Sequence, residues 1–117
     1  MKNHACLDLD QQDLENLEKI GQIKKELGTR LLILGHYYQR LSIALLSDHL
    51  GDSYGLSDRA ARSRDAKHIV FCGVQFMAES AEILRAENQA VYHPHSGAGC
   101  PMADMADIGD IELAYRL

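Results

Sequence analysis

Three stretches of this sequence carry side chains able to bind an anion, move a proton or hold a metal. The first is Gly35-His36-Tyr37-Tyr38-Gln39. An imidazole such as His36 can bind a carboxylate or phosphate or pass a proton. Tyr38 lies two residues on, which is the same side of an extended chain. The plainer reading makes His36 a hydrogen-bonded structural histidine and Tyr37 and Tyr38 packing aromatics. The second stretch is Gly51-Asp52-Ser53. Ser53 is placed to open a helix, where unpaired N–H groups and the helix dipole attract an anion. Its plainer reading is an N-cap. The third stretch runs from His93 to Cys100. Pro101 suits the first position of a helix, which puts Cys100 at the N-cap with its sulfur near the positive helix end. That setting favours the thiolate, the form that binds metals or attacks. Ser96, Gly97 and Gly99 keep the approach small. A lone cysteine is otherwise a small apolar filler, and Cys72, ending an apolar run, is read that way. Cys6 has no partner motif and receives no role.

Weaker signals complete the inventory. His93 and His95 flank Pro94 and could pair on a metal, but a zinc site needs more donors than these spacings offer. Asp104 and Asp107 read as a solvated acidic face. Met77, Met102 and Met105 are expected to pack. There is no P-loop and no GxGxxG.

The elements that must position these groups follow from hydrophobic periodicity. Leu14, Leu17, Ile20, Ile23 and Leu27 recur at helical spacing, so residues 11–27 form a helix that Asp10 caps and Gly28 stops. The short apolar runs 31–35 and 68–72 are buried parallel strands, and 90–93 is a third. Helices are expected over 41–50, about 53–63 and 76–87, and again after Pro101 and at 110–117. Alternating strands and helices imply an α/β fold with a short parallel sheet and right-handed crossovers. In such sheets ligands bind beyond the carboxyl ends of the strands. That rule selects the segments after residues 35, 72 and 93, with no appeal to motifs.

The chain has 117 residues, 46% of them hydrophobic and 25% charged, with a formal net charge of −5. One domain fits that length. The acidic balance argues against a nucleic-acid surface, and no apolar run reaches the length of a membrane span. The N-terminal stretch lacks the apolar core of a secretory signal. An odd count of cysteines, 3, none of them in a CxxC pair, argues against a disulfide framework and for a reducing, cytoplasmic compartment. Three strands are few for a finished sheet, and the chain stops at Ala114-Tyr115-Arg116-Leu117 without a closing signal, which hints at truncation.

Taken together, LILGHYYQ at 32–39, GDSYGLS at 51–57, IVFCGVQFMAESAEIL at 69–84 and AGCPMADMAD at 98–107 resemble the quinolinate synthase family in order and spacing. The resemblance implies a three-layer α/β/α domain, one of three similar domains about a pseudo-threefold axis. Residues 1–101 would be the first domain, and 102–117 the start of the helix leading into a second. It also implies a reaction: condensation of iminoaspartate with dihydroxyacetone phosphate to quinolinate, in NAD biosynthesis, on a 4Fe–4S cluster. His36 matches a substrate-carboxylate ligand, Ser53 an iminoaspartate ligand, Tyr38 an active-site tyrosine, and Cys100 the first of three cluster cysteines. Cys72 matches a cysteine that is not a cluster ligand. A functional link to an L-aspartate oxidase is implied as well. Arg40-Leu41-Ser42 stands where the family often has Pro-Glu, and Tyr37 where it often has Asn. On this reading the chain alone is inactive. The competing readings are a stand-alone anion-binding module and one subunit of a split enzyme.

Overall fold

A computed structural model describes residues 9–117, so Cys6 lies outside the described residues. Asp10 starts helix α1 (Gln11–Leu27) with a full capping box: its carboxylate accepts from the Asp13 amide at 2.7 Å, and the Asp13 carboxylate accepts in return from the Asp10 amide. Gly28 ends the helix at φ 55°, a left-handed value that suits glycine. One 3₁₀ turn, Gly28–Arg30, then leads into β1 (Leu31–His36).

The chain continues through α2 (Leu41–Leu46), β2 (His49–Gly51), α3 (Ser53–Arg62), β3 (His68–Cys72), α4 (Gln75–Leu84) and β4 (Ala90–Tyr92). It closes with α5 (Pro101–Asp104) and α6 (Ile108–Tyr115). The sheet is fully parallel with strand order β2-β1-β3-β4. Side chains alternate between its faces. Leu32, Leu34, Ile69 and Phe71 meet Leu56 and Ala60 of α3 and Met77, Ala78 and Ala81 of α4 in the main core. Leu31, Ile33, Val70 and Cys72 face the opposite way, toward α1 and α2. Helices therefore cover both faces, and the α/β class expected from the sequence holds.

Among the described residues four strands form, not three. The expected helix over 41–50 stops at Leu46, and His49–Gly51 becomes an edge strand paired with the end of β1. The physical reason is Asp48. Its amide donates to Ile33 O at 2.7 Å while its carboxylate accepts from Ile33 N at 2.8 Å, so one residue satisfies both backbone groups of β1 just before β2 begins. Lys24 holds that carboxylate at 2.7 Å and also donates to Leu46 O at 2.7 Å, anchoring α1 to the same corner.

Gly35 marks the closest approach in the sheet. A Cβ there would collide with Ser47 Oγ and sit 3.0 Å from Leu50 Cδ2, because the turn from α2 into β2 crosses directly over β1. Gly35→Ala is expected to destabilise the domain by about 1–3 kcal/mol through overpacking. Urea unfolding checks this, and a midpoint equal to that of the native chain would mean that the turn yields freely.

Two regions remain uncovered. No residue of α1 is buried, and its apolar stripe borders an open apolar groove of about 360 Å³ lined also by Ile33, Val70, Cys72 and Pro94. The helices α5 and α6 bury none of their side chains. Met77 packs as expected, but Met102 and Met105 are 85% and 80% exposed, a correction to the sequence reading. Asp104 and Asp107 share no helix: Asp104 ends α5, and Asp107 caps α6 by accepting from the Gly109 amide.

Candidate functional site

All four strands end on one rim. From β1 the chain passes through α2 on one face to β2. It then crosses through α3 on the other face to β3, on the far side of β1. The loops after β1 and β3 therefore diverge toward opposite faces. Such a switch point opens a crevice at the carboxyl ends of the strands, where ligands of open α/β sheets bind. His36 ends β1 on one side of it, and Gly73 follows β3 on the other.

His36 is half-buried, and its Nδ1 accepts from the Tyr38 amide at 3.4 Å. The neutral ring then carries its proton on Nε2 and presents a donor, which is what a carboxylate requires. The Tyr38 ring lies 4.8 Å from the imidazole, and Tyr37 meets it edge-on at 6.3 Å. Tyr38 itself is 91% exposed, so it is not the packing aromatic of the plainer reading.

His36 stands opposite Gly51 in the β1–β2 register, and Ser53 follows two residues later. The helix cap there is Asp52, not Ser53: Asp52 Oδ1 accepts from the Gly55 amide at 2.6 Å. Ser53 is the first helical residue, so its hydroxyl is not spent on capping. Sequence reasoning passed over two neighbours, Tyr54 within the GDSYGLS stretch and Arg59 one helical face along. Arg59 lines a cavity of about 310 Å³ with Tyr37, Gly51 and Gly55.

Cys100 occupies the N-cap of α5 as expected and makes no side-chain cap bond. However, α5 is a single turn that aligns few peptide dipoles, so the argument from a helix end loses most of its force. Cys100 lines a separate cavity of about 330 Å³ with Gln75, Glu79, Ser96 and Asp104, and His36 is not among its walls. The rim thus has His36 at the end of β1, Tyr38 in the turn after it and Ser53 at the start of α3 just past β2, and carries Cys100 on the loop after β4. Among the described residues, the two histidines flanking Pro94 join no group of three or more potential metal ligands. His93 Nε2 bonds Gly73 O, and His95 Nδ1 accepts from the Gly97 amide.

Cys72 faces the apolar groove, and burial pushes its thiol up from the ordinary value of 9.0. This agrees with a filler role. A folded-state value above the unfolded one contributes stability that is complete below the unfolded pKa and is lost as pH rises through the folded one. The native chain should therefore lose stability above about pH 9 that Cys72→Ala does not lose. Thermal melts across that range measure the difference, and parallel curves would contradict it.

A family model described as quinolinate synthetase A protein matches residues 18–116, a span that includes β1 to β4 and all three rim segments. The chain belongs to the quinolinate synthetase A family. A curated quinolinate synthase of Anoxybacillus flavithermus is 48% identical over 105 residues, which is 89% of this chain and 29% of that relative. The quinolinate synthase of Halalkalibacterium halodurans is 51% identical over 99 residues, 85% of this chain and 27% of that relative. One from Bacillus cereus is 48% identical over 103 residues, 87% of this chain and 28% of the relative. The chain thus spans less than a third of the length of these family members.

The family implies an iron–sulfur cluster, and the described residues include two free cysteines, Cys72 and Cys100. Cys100 has a half-buried thiol not engaged in capping. Cys72 is turned into an apolar groove. Among the described residues no group of three or more His, Cys, Asp or Glu comes together that could hold a metal ion.

Proposed function

We propose that this chain is the N-terminal portion of a quinolinate synthase, the enzyme that condenses iminoaspartate with dihydroxyacetone phosphate to quinolinate for NAD biosynthesis. Residues 1–101 correspond to its first α/β domain and 102–117 to the lead into a second. A cytoplasmic setting and a functional link to an L-aspartate oxidase accompany this reading. The observation that carries it is the coincidence of the matched family span with the switch point: His36, the residue implied to bind substrate, ends the strand at that crevice.

His36 holds a substrate carboxylate through Nε2–H, with Nδ1 already engaged by the Tyr38 amide. Ser53 contributes its hydroxyl from the start of α3, where unpaired amides favour negative charge. Tyr38, its ring tilted against the imidazole at 4.8 Å, supplies an exposed phenol beside the bound carboxylate. Cys100 supplies one thiolate to a 4Fe–4S cluster whose other cysteine ligands lie outside this chain. When bound, such a cluster supplies an iron without a protein ligand, a Lewis acid suited to assisting dehydration.

Two charge-assisted hydrogen bonds contribute on the order of 1.5–3 kcal/mol each, so after the cost of association binding should be about millimolar or weaker. NMR titration with succinate is expected to shift residues around 36–38 and 51–55, and His36→Ala and Ser53→Ala should each weaken the effect. Shifts gathered around His93 and His95 instead would place anion binding at the wrong loop and sink this assignment. The stand-alone anion-binding module predicts the same titration. It differs in predicting no gain of activity when the missing family domains are supplied in trans.

A further inference from the structure

The loop from His93 to Cys100 is tied down at two points, one on the turn between β3 and α4 and one on the first residue of α4. His93 Nε2 lies 2.8 Å from Gly73 O. A carbonyl oxygen only accepts, so the imidazole donates, and the tautomer is fixed with its proton on Nε2. Five residues on, Ala98 O accepts from the Gln75 amide at 2.8 Å. Gln75 opens α4, and its N-cap residue, Val74, offers no side-chain acceptor. The first-turn amides of a helix need partners from outside it. The loop carbonyl is such a partner, so the loop caps the helix.

Between these two ties the loop closes on itself. The Ala98 amide donates to His95 O at 3.0 Å, and the Gly97 amide donates to His95 Nδ1 at 3.1 Å. Little slack is left: a Cβ on Gly97 would come within 3.0 Å of the His95 ring, and one on Gly99 within 2.9 Å of Asp104 Oδ2. Cys100 follows two residues after Ala98, in a cavity whose far wall is Gln75, Phe76 and Glu79 of α4. Where the Cys100 sulfur sits therefore depends on how firmly the loop is docked on α4. The one side chain bonding the loop to the β3–α4 turn is, among the described residues, His93.

We infer that His93 is a positioning residue for Cys100. Its Nε2–H···O bond to Gly73 holds the loop against the N-terminus of α4 and so fixes the place from which Cys100 presents its thiol. The docking stands on geometry alone, while its significance for cluster binding rests on the function proposed above.

The test compares His93→Leu, which keeps bulk and removes the donor, with His93→Gln, whose amide nitrogen can reach toward the same carbonyl. Two readouts are taken on the 117-residue chain. The first is the rate at which iodoacetamide alkylates Cys100, resolved from Cys72 by peptide mass spectrometry. The second is hydrogen exchange at the Gln75 amide. Loss of one hydrogen bond changes a local opening equilibrium by about two- to tenfold. His93→Leu should therefore speed both Cys100 alkylation and Gln75 exchange by that factor, leave Cys72 unchanged, and be largely reversed in His93→Gln. Native rates at Cys100 and Gln75 in His93→Leu would overturn the proposal. So would a joint rise at Cys100 and Cys72 in both variants, the mark of general loosening. Neither readout involves iron or succinate, so this inference and the functional reading fail separately.

Discussion

Gln89→Leu is expected to remove a large share of the stability of the domain, although leucine nearly matches the volume of the side chain it replaces. Gln89 is only 3% exposed, and its amide is fully used. Nε2 donates to Ser63 O at 2.7 Å and Ala66 O at 2.8 Å, while Oε1 accepts from the Ala86 amide at 2.9 Å. One side chain thus joins the end of α3, the approach to β3 and the turn before β4. Leucine leaves those backbone groups facing an apolar side chain, at a cost of about 1–3 kcal/mol for each buried group that finds no other partner. Ser63 O keeps a bond from the Ala66 amide, so the net loss should be about 2–5 kcal/mol. A domain of this size holds only about 5–15 kcal/mol in total. Urea denaturation followed by circular dichroism measures the loss, and a change below about 0.5 kcal/mol would show the network to be dispensable. Gln89→Glu sharpens the test. A buried carboxylate facing two carbonyls has its pKa raised. The folded variant then takes up a proton at a pH where its unfolded chain is still ionised. Its deficit against the native chain should shrink as pH falls toward the unfolded carboxyl value of about 4.3.

The second large effect concerns iron. Anaerobic reconstitution of the isolated chain should yield no stable cluster at one per monomer. A 4Fe–4S cluster held through three cysteines needs three thiolates arranged around one small cavity. Here Cys100 lines the cavity over α4, whereas Cys72 points into the groove beside Ile33, Val70 and Pro94, where burial disfavours its thiolate. Visible absorption and EPR spectroscopy after desalting should show neither the cluster spectrum nor retained iron. One cluster per monomer that disappears in Cys72→Ala would refute the ligand assignment. If the cluster forms only when the missing family domains are present, Cys100→Ala should then abolish it.

The parts of this fold legible in the sequence are those written in local patterns. Asp10, the leucine and isoleucine spacing and Gly28 fixed both ends of α1 to the residue. The runs around Ile33 and Val70 announced β1 and β3 because strands buried on both faces are continuously apolar. The strand β2 was missed because three residues, His49–Gly51, show no periodicity, and only the Asp48 bonds to Ile33 define where it begins. Asp52 rather than Ser53 took the cap, since both residue types suit that position and local sequence does not choose between them. The place of His36 at the end of β1 was legible from the apolar run before it. The role of Gln89 was not, because three partners spread over 23 or more residues of chain leave no local trace for two of them. His93 was noticed only as half of a weak metal pair. A ring nitrogen facing a carbonyl 20 residues away is a tertiary fact.

Both borders of the sheet are only three residues long, β2 at one and β4 at the other. An added strand gains its affinity by pairing with a row of free backbone amides and carbonyls, and borders this short offer few. At β2 the Asp48 carboxylate and amide have already taken up the β1 groups just ahead of the strand. Self-association of this chain at high concentration would therefore run through side chains, at the groove beside α1 and along α6, rather than by strand addition. Such aggregates should be amorphous, dissolve on dilution and fail to bind thioflavin. The geometry that seats β2 also leaves little border on which a further strand could build.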